Sequence, residues 1–394
     1  MPVSAKIAEF MERSSWIRKM FEQGALLKSQ YGPENVFDFS LGNPNLEPSQ
    51  SVKTAILQAA SDISPGVHAY MPNAGLPATR AAVARKIARD ECVEIDEKTV
   101  LMTVGAGGAI NVALKAILNP GDEVIIPKPF FVEYVFYVDN HGGKPVLVPT
   151  KADFSLDIEA IESAMTSTTA AVVINSPNNP TGKVYSQAEI SQLGALLATK
   201  SKELGRTITL ISDEPYRGIV YDGITVPSVL NAYPNSMVVT SFSKDLSLPG
   251  ERLGYIAMNP AMENAKQTYD GLVLCNRILG YVNAPALIQR AVQLCLDDIV
   301  DVGVYKRRRD TLYNALTAFG YDLVKPEGAF YLFPKSPIED DVAFVNLLQK
   351  KLILTVPGTG FGGPGYFRIA YCVSDATIEG SLKGFEEAIK EARS

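Results

Sequence analysis

The stretch SFSKDLSLPGERLGY, residues 241–255, is a polar connection between two apolar segments. Residues 237–240 precede it and residues 253–258 close it, and both have the composition of buried strands. Lys244 lies between them, beside two serines and ahead of a Pro-Gly turn and Arg252. A lysine held between two buried strands is expected to be partly buried, and it therefore calls for a chemical explanation.

The segments around this connection belong to a longer alternating pattern. Short apolar runs rich in β-branched residues occur at 100–104, 123–126, 145–148, 171–174, 207–211, 237–240 and 254–258. Longer amphipathic segments, such as residues 186–204, separate several of these runs. Strands that alternate with helices predict an α/β fold with a mostly parallel sheet covered by helices on both faces. Ligands of such sheets bind at the carboxyl ends of the strands.

The pattern changes after about residue 280. A long helical pattern at 283–319 is followed by the short strand candidates GAFYLFP and YFRIAY and by a terminal helix. We therefore predict a large domain over residues 46–280. Residues 1–45 and 281–394 are predicted to form a smaller, discontinuous α+β domain.

Composition excludes several classes of protein. The 394 residues carry a formal net charge of −6 and include two histidines and four irregularly spaced cysteines. We therefore expect no nucleic-acid partner, no metal site and no disulfide framework. The basic run KRRR at 306–309 lies in a helical pattern and is predicted to be a solvated face. The N-terminus lacks an apolar leader and no run is long enough for a membrane span, so we expect a cytoplasmic protein without a membrane partner.

A glycine-rich segment, TVGAGGAINVAL at 103–114, follows one predicted strand and begins a helix. Glycines allow the backbone to approach a ligand closely, and a helix N-terminus offers free N–H groups and partial positive charge. The spacing is neither GxGxxG nor a Walker loop. The segment alone is compatible with a phosphate site or with a tight turn.

Polar residues stand at the ends of two other predicted strands. INSPNNPTG at 174–182 brings Asn179 to one strand end, although its prolines and glycine are also typical of a plain loop. ISDEPYRG at 211–218 brings Asp213, Glu214 and Tyr216 to the next. A carboxylate there is either a helix cap or the partner of a buried cation, such as Arg217 or a ligand nitrogen.

The residues around Lys244 in the sequence suggest a chemical role for its amine. An ordinary lysine has a pKa of about 10.4 and is a poor nucleophile at neutral pH. Partial burial and the positive charge of Arg252 would lower that pKa and make the amine reactive. Serines and an arginine suit phosphate oxygens. A reactive amine, a phosphate cradle and an acidic strand end together indicate a pyridoxal phosphate site.

At this point the sequence resembles the fold-type I, class I/II aminotransferases of the aspartate aminotransferase family, along almost the whole chain. The matching motifs are LGNPN (41–45), HAYMPNAGLPATRAAVA (68–84), NPGDEVIIPKPFFVEY (119–134), NNPTG (178–182), SDEPY (212–216), SFSKDLSLPGERLG (241–254), PEGAFYLFP (326–334) and FRIAY (367–371). The resemblance implies the α/β fold of the type I pyridoxal phosphate transferases, with a smaller α+β domain.

The resemblance also implies roles around the cofactor ring. Lys244 would hold pyridoxal 5′-phosphate covalently and move protons, and Asp213 would keep the ring nitrogen protonated. Tyr216 and Asn179 would hydrogen-bond the ring oxygen, and Phe131 would stack on the ring face. Lys244, Asp213 and Tyr216 form the implied catalytic set.

Further implied contacts concern the phosphate and the substrate. The phosphate would be held by Ala106, Gly107, Ser241, Ser243 and Arg252, and by Tyr70 of a second copy, which implies a homodimer with shared sites. The loop Gly105–Gly108 departs from many relatives because it lacks a bulkier polar residue, so its phosphate contacts would come from the backbone. The substrate would be bound by Gly42, Asn179, Arg368 and Phe330, with Arg368 clamping the α-carboxylate. Arg290 or Arg277 could bind a second carboxylate, and both Arg290 and Phe330 have an ordinary structural interpretation as well.

The implied activity is transfer of an amino group from an L-amino acid to a 2-oxo acid such as 2-oxoglutarate, by ping-pong kinetics. Aspartate, alanine or an aromatic amino acid is the expected donor. A lyase or a decarboxylase on the same fold is the alternative. A nicotinamide-dependent oxidoreductase would leave Lys244 unexplained, and a regulator on this fold would need a DNA-binding module that the sequence lacks.

Overall fold

The structure is a computed structural model that describes residues 3–13 and 15–394, and it describes side chains except those of residues 12–22. Part of the N-terminal stretch used above to argue against a leader therefore lies outside the described residues. The helices are α1 Ala5–Arg13, α2 Ser15–Tyr31, α3 Gln50–Ser61, α4 Pro77–Glu91, α5 Gly105–Ile117, α6 Glu133–Asn140, α7 Ile158–Ser163, α8 Gln187–Glu203, α9 Val229–Ala232, α10 Ala265–Ile278, α11 Ala286–Val292, α12 Val302–Phe319, α13 Asp341–Lys350 and α14 Asp375–Arg393. Within the described residues, no helix is both long and apolar enough to cross a membrane.

Seven strands form the central sheet, in the order β2-β8-β7-β6-β5-β3-β4. The strands of the chain are β1 Phe37–Asp38, β2 Val100–Thr103, β3 Glu123–Lys128, β4 Lys144–Pro149, β5 Thr169–Asn175, β6 Thr209–Asp213, β7 Ser236–Ser241, β8 Gly254–Met258, β9 Tyr331–Leu332, β10 Ile353–Leu354, β11 Val356–Pro357 and β12 Phe367–Ala370. Only β8 runs antiparallel to its two neighbours in this sheet. The predicted α/β class is confirmed, and each of the seven predicted strands is present.

The central strands are apolar along their whole length because helices cover both faces of the sheet. Every residue of β2, β5, β6 and β7 is buried. One core cluster contains Val172, Ile174 and Leu210, and another contains Val173 and Ile211. Since neighbouring residues of a strand point to opposite faces, this division shows that two separate apolar layers sandwich the sheet.

The topology gathers several polar strand ends at one edge. Strands β5, β6 and β7 are parallel and end at Asn175, Asp213 and Ser241. Strand β2 points the same way, since both it and β7 are antiparallel to β8. It leads through Val104 into Gly105, the first residue of α5. Carboxyl ends of parallel strands meet at one edge, and the predicted ligand-binding residues therefore converge there.

A second core lies around the three-stranded antiparallel sheet β11-β12-β9. The helical pattern predicted as continuous over 283–319 is in fact two helices, α11 and α12. Residues of α11 pack into the core of the central sheet, as does Cys295, whereas Val300 belongs to the second core. The change in packing therefore lies near residues 296–300, not at the predicted boundary of 280. The division into two domains remains a prediction.

The prediction that residues 306–309 form a solvated helix face is wrong for Arg308 and Arg309. Arg309 is fully buried, and its guanidinium lies 4.6 Å from the centre of the Tyr221 ring. It also pairs with Asp222 at 2.8 Å and donates to the carbonyl oxygen of Pro326 at 3.0 Å. A buried charge is tolerated where it is paired and hydrogen-bonded in this way.

The close approach of β7, β8 and the start of α5 requires a glycine at residue 254. A Cβ there would overlap the carbonyl oxygen of Thr240 and lie 2.8 Å from the carbonyl carbon of Gly105. We expect Gly254→Ala to lower the free energy of unfolding by about 1–3 kcal/mol, because the backbone must shift to admit the methyl group. Denaturant unfolding would measure the change. Gly250→Ala is the control, since a Cβ at residue 250 meets nothing within 4 Å. Equal stability of the two variants would contradict this account of the packing.

Candidate active site

A cavity of about 380 Å³ opens at the carboxyl edge of the central sheet. It brings together most of the site residues predicted from the sequence. Those that line it are Gly42, Ala106, Gly107, Phe131, Asn179, Asp213, Tyr216, Ser241, Ser243, Lys244, Arg252 and Arg368. Residues that lie as much as 326 positions apart in the chain, such as Gly42 and Arg368, thus share one site.

The glycine-rich loop forms the wall beside Arg252. Gly105 has a φ of +78°, and a Cβ there would lie 3.0 Å from a terminal nitrogen of Arg252. Gly105 begins the 13-residue helix α5, whose first amide groups have no partners within the helix. Free amides, the helix dipole and a guanidinium at one place suit an anion such as a phosphate group.

Asp213 ends β6 at the floor of the cavity and is buried. Its Oδ2 accepts a hydrogen bond of 2.5 Å from the hydroxyl of Tyr134, whereas its Oδ1 has no hydrogen-bond partner among the described residues. Burial raises the pKa of Asp213 to about 7, although the bond from Tyr134 favours the charged form. One oxygen of a buried acid is therefore available for a donor that the protein does not supply.

Lys244 lies on the connection between β7 and β8, and its amine projects into the same cavity. Nζ donates a hydrogen bond of 2.8 Å to the carbonyl oxygen of Gly42. Burial lowers its pKa to about 8, and the positive charges of Arg368 and Arg252 act in the same direction. A large fraction of this amine is therefore neutral near pH 8, the form that attacks a carbonyl group.

Arg368 is buried at another wall, on β12. Its guanidinium donates to Oδ1 of Asn179 at 3.0 Å and to the carbonyl oxygen of Ser40 at 2.6 Å. The rings of Tyr331 and Phe361 have their centres 4.8 and 4.6 Å from its central carbon. Its Nε has no partner in the part of the chain that the structure describes. This cation is held rigidly and retains a donor for an anionic ligand.

Tyr331 lines the cavity although the sequence pointed to its neighbour Phe330. Phe330 does not line this cavity: it is fully buried in the second core, against the rings of Tyr216 and Tyr305. The hydroxyl of Tyr331 lies 2.7 Å from that of Tyr216, and a Cβ at residue 42 would overlap it. Two adjacent aromatics in GAFYLFP gave no local signal of which one faces the ligand.

Three other residues at the site also escaped the sequence analysis. Glu133 and Tyr137 line the cavity, and Tyr134, on the same helix α6, is the hydrogen-bond donor to Asp213. All three follow Phe131 within one short stretch. Because these residues follow the predicted ring-stacking residue, the sequence could have assigned this segment to the site. It could not have predicted which group each side chain contacts.

Besides Phe330, three predicted residues lie away from the cavity. Tyr70 is 91% exposed and does not line it. Arg277 is exposed on α10, and Arg290 donates to the carbonyl oxygen of Val67. Neither arginine therefore supplies a second cation to the cavity of its own chain.

Glu214 has a structural partner, which settles one alternative left open by the sequence. Its carboxylate receives a hydrogen bond of 2.5 Å from Arg217 and another of 2.6 Å from Ser212. Arg217 also lies 3.5 Å from the carboxylate of Glu91. The acid of SDEPY that pairs with a partly buried protein cation is thus Glu214, and Asp213 is the one that faces the cavity.

The depressed pKa of Lys244 can be measured directly in cofactor-free protein. We expect its reactivity toward acetic anhydride, followed by mass spectrometry across pH, to have a midpoint near pH 8. The sign follows from burial, which disfavours the ammonium form, so the neutral amine already predominates above about pH 8. A midpoint near the ordinary lysine value of about 10.4 would contradict the assignment of a desolvated amine.

The family model and the most similar curated proteins all indicate one family of aminotransferases. The family model for class I and II aminotransferases matches residues 34–384. A probable aspartate/prephenate aminotransferase of Aquifex aeolicus is 32% identical over 371 residues, covering 91% of this chain and 92% of the relative. Aromatic-amino-acid aminotransferase 2 of Thermococcus litoralis is 30% identical, with 97% of each chain covered.

Solved structures agree in overall fold. An aminotransferase from Eubacterium rectale superposes with a TM-score of 0.97 at 39% identity, over the full length of both chains. The aspartate aminotransferase of Thermus thermophilus with maleate has a TM-score of 0.84 at 29% identity and covers 95% of this chain and 96% of its own. By sequence along nearly its whole length and by structure, this chain belongs to the class I and II aminotransferase family.

Proposed function

We propose that Lys244 binds pyridoxal 5′-phosphate covalently and that this site transfers the amino group of an L-amino acid to a 2-oxo acid. The observation that carries the proposal is the unpartnered, buried Oδ1 of Asp213 in the same cavity as the desolvated amine of Lys244. Membership of the family supports amino-group transfer and makes a lyase or decarboxylase the less favoured alternative.

The residues present fit the cofactor ring. A protonated ring nitrogen is the donor that Oδ1 of Asp213 lacks, and it would favour the charged form of that acid. Tyr216 and Asn179 line the same cavity and carry groups able to hydrogen-bond the ring oxygen. Phe131 offers an aromatic face on which the ring can stack.

The phosphate group fits the opposite wall. Ala106 and Gly107 offer backbone N–H groups at the N-terminus of α5. Ser241, Ser243 and Arg252 add hydroxyl and guanidinium donors in the same cavity. Because residue 107 has no side chain, these contacts come from the backbone on one side and from the β7–β8 connection on the other.

The chain's own residues account for the proton transfers. When bound, pyridoxal phosphate supplies an aldehyde for the amino group and a ring that accepts electrons from the Cα bond. Arg368 holds the α-carboxylate, helped by Asn179 and the backbone at Gly42. Lys244 Nζ, which would be set free when the substrate's amino group takes its place on the aldehyde carbon, would then take the proton from Cα and return it to that former aldehyde carbon.

The relatives suggest candidate donors. The names of the compared proteins include aspartate/prephenate and aromatic-amino-acid aminotransferases. We propose aspartate, alanine and aromatic amino acids as the donors to examine first, with 2-oxoglutarate as acceptor. One site that serves donor and acceptor in turn gives ping-pong kinetics.

A homodimer is the proposed assembly, and the cytoplasm the proposed location. Tyr70 is 91% exposed and lies outside the cavity of its own chain. Its exposure supports the proposal that it reaches the phosphate bound by a second copy.

Removal of the amine of Lys244 is the central test. We expect Lys244→Ala to lower single-turnover conversion of an amino acid by about 10⁴-fold or more, since both attachment and proton transfer are lost. Borohydride reduction should attach cofactor to the peptide that contains Lys244, as seen by mass spectrometry, and to no peptide of the Lys244→Ala variant. Lys383→Ala, at an exposed position of α14, is the control. Unchanged turnover in Lys244→Ala would refute the proposal.

Asp213→Asn tests the partner of the ring nitrogen. The amide keeps the shape of the side chain but cannot carry the negative charge that stabilises a protonated ring. We expect the single-turnover rate to fall by about 10²-fold or more, with less than about a tenfold change in the cofactor dissociation constant. Stopped-flow absorbance and equilibrium dialysis measure the two quantities. A normal rate with weakened binding would assign Asp213 to cofactor affinity alone.

A further inference from the structure

We infer that Tyr331 is a positioning residue for the proposed reaction, because its hydroxyl donates a hydrogen bond to Tyr216 and thereby directs the proton of Tyr216 to the ring oxygen of the cofactor. The inference rests on the proposed function, in which Tyr216 binds that oxygen, and it adds a residue to that function. It follows from the contact between the two hydroxyls and from the packing that holds Tyr331 in place.

The hydroxyls of Tyr216 and Tyr331 form a pair of their own. Their oxygens lie 2.7 Å apart, and by distance alone either one could be the donor. Among the described residues, neither hydroxyl has another hydrogen-bond partner. Both residues line the cavity, yet Tyr216 is only 4% exposed and Tyr331 only 1%. The contact is therefore made within one chain, and it does not depend on a second subunit.

Packing fixes the position of the Tyr331 hydroxyl. The centre of the Tyr331 ring lies 4.8 Å from the central guanidinium carbon of Arg368, and 5.7 Å from the centre of the Tyr216 ring, which it meets edge-on. A Cβ at Gly42 would overlap the hydroxyl, so the absence of a side chain at residue 42 leaves the space that the hydroxyl fills. A hydroxyl on a rigid, packed ring offers its hydrogen bond at a defined place.

The pair holds two protons near neutral pH. Burial raises the pKa of Tyr331 to about 12 and the pKa of Tyr216 well above its usual range. One of these protons lies between the two oxygens, so only one hydroxyl can donate outside the pair. If Tyr216 donates to Tyr331, it keeps no proton for a ligand. If Tyr331 donates to Tyr216, the proton of Tyr216 is available to the cavity.

Charge favours the second arrangement when the cofactor is bound. The charged and titratable groups that face the pair are Asp213, Lys244, Arg368 and Cys372. Within the described part of the chain, none of them hydrogen-bonds either hydroxyl. The ring oxygen is a phenol oxygen that is negatively charged when ionised, and a hydrogen bond to an anion is stronger than one between two neutral hydroxyls. Tyr216 therefore donates to the ring oxygen, and Tyr331 donates to Tyr216.

This direction has a measurable consequence for the nitrogen that joins Lys244 to the cofactor. Negative charge on the ring oxygen is greatest after that nitrogen has lost its proton, so a hydrogen bond to the oxygen lowers the pKa of the nitrogen. The hydrogen bond from Tyr331 polarises the hydroxyl of Tyr216 and strengthens its bond to the ring oxygen. Loss of the Tyr331 hydroxyl should therefore raise the pKa of the nitrogen.

The test measures this pKa from the pH dependence of the visible absorbance of the cofactor-loaded enzyme. We expect the pKa to rise by about half a unit in Tyr331→Phe and by about one unit or more in Tyr216→Phe. Because Tyr331 acts through Tyr216, the double variant should match Tyr216→Phe alone. Tyr321→Phe is the matched control, since it removes a hydroxyl from the same core that donates to the carbonyl oxygen of Phe385 at 2.9 Å, and it should leave the pKa unchanged.

The remaining outcomes separate this inference from the proposed function. An unchanged pKa in Tyr331→Phe, or a rise that adds in full to that of Tyr216→Phe, would overturn the inference and leave the proposed function intact. A Tyr331→Phe variant that has an unchanged pKa and binds amino acids more weakly would overturn it too, and would assign Tyr331 to the substrate. A wild-type protein that gains no visible absorbance from pyridoxal phosphate would overturn both, since the proton of Tyr216 would have no ring oxygen to receive it.

Discussion

The buried guanidinium of Arg368 is the interaction on which the arrangement of the site depends. Burial alone disfavours its charged form and lowers its pKa, so the fold must surround it with acceptors and aromatic faces. Those contacts come from distant parts of the chain. Ser40 lies between β1 and α3 and Asn179 follows β5, and the aromatic faces are those of Tyr331 and Phe361. One desolvated charge thus ties the N-terminal segment and the second core to the edge of the central sheet.

Asp213 and Glu214 show how one strand end serves two purposes. Consecutive residues of a strand point in opposite directions, and these two acids accordingly have different surroundings. Glu214 accepts hydrogen bonds from Arg217 and Ser212, and its charge compensates that of the partly buried Arg217. Among the described residues, Asp213 accepts a side-chain hydrogen bond from Tyr134 alone, and its other oxygen has no partner. Burial raises the pKa of both acids, but within the same part of the chain no cation pairs with the cavity-facing Asp213.

The cations and the carboxylates that line the cavity lie on different structural elements. Arg252 lies beside the start of α5 and Arg368 lies on β12, whereas the carboxylate of Glu133 lines the same cavity from α6. Gly107 contributes to this asymmetry because it places backbone, not a charged or polar side chain, opposite Tyr137.

Local sequence patterns were enough to predict the α/β class, the seven strands and most of the residues that line the cavity. These features depend on local patterns: apolar runs define strands, glycines mark close approach, and polar residues follow the strand ends. The order of motifs along the chain also determined the family. None of this required knowledge of which distant side chains meet.

Features that depend on packing between distant segments became apparent from the three-dimensional arrangement and not from local sequence. Local sequence could not choose between Phe330 and Tyr331, because both are aromatic and only the fit against Gly42 and Tyr216 separates them. It could not assign Arg309 to the interior, because the partners Asp222 and Tyr221 lie far away in the chain. The packing boundary near residue 296 escaped for the same reason: α11 is buried by helices more than 200 positions earlier, and hydrophobic periodicity reports that a face is buried but not what buries it.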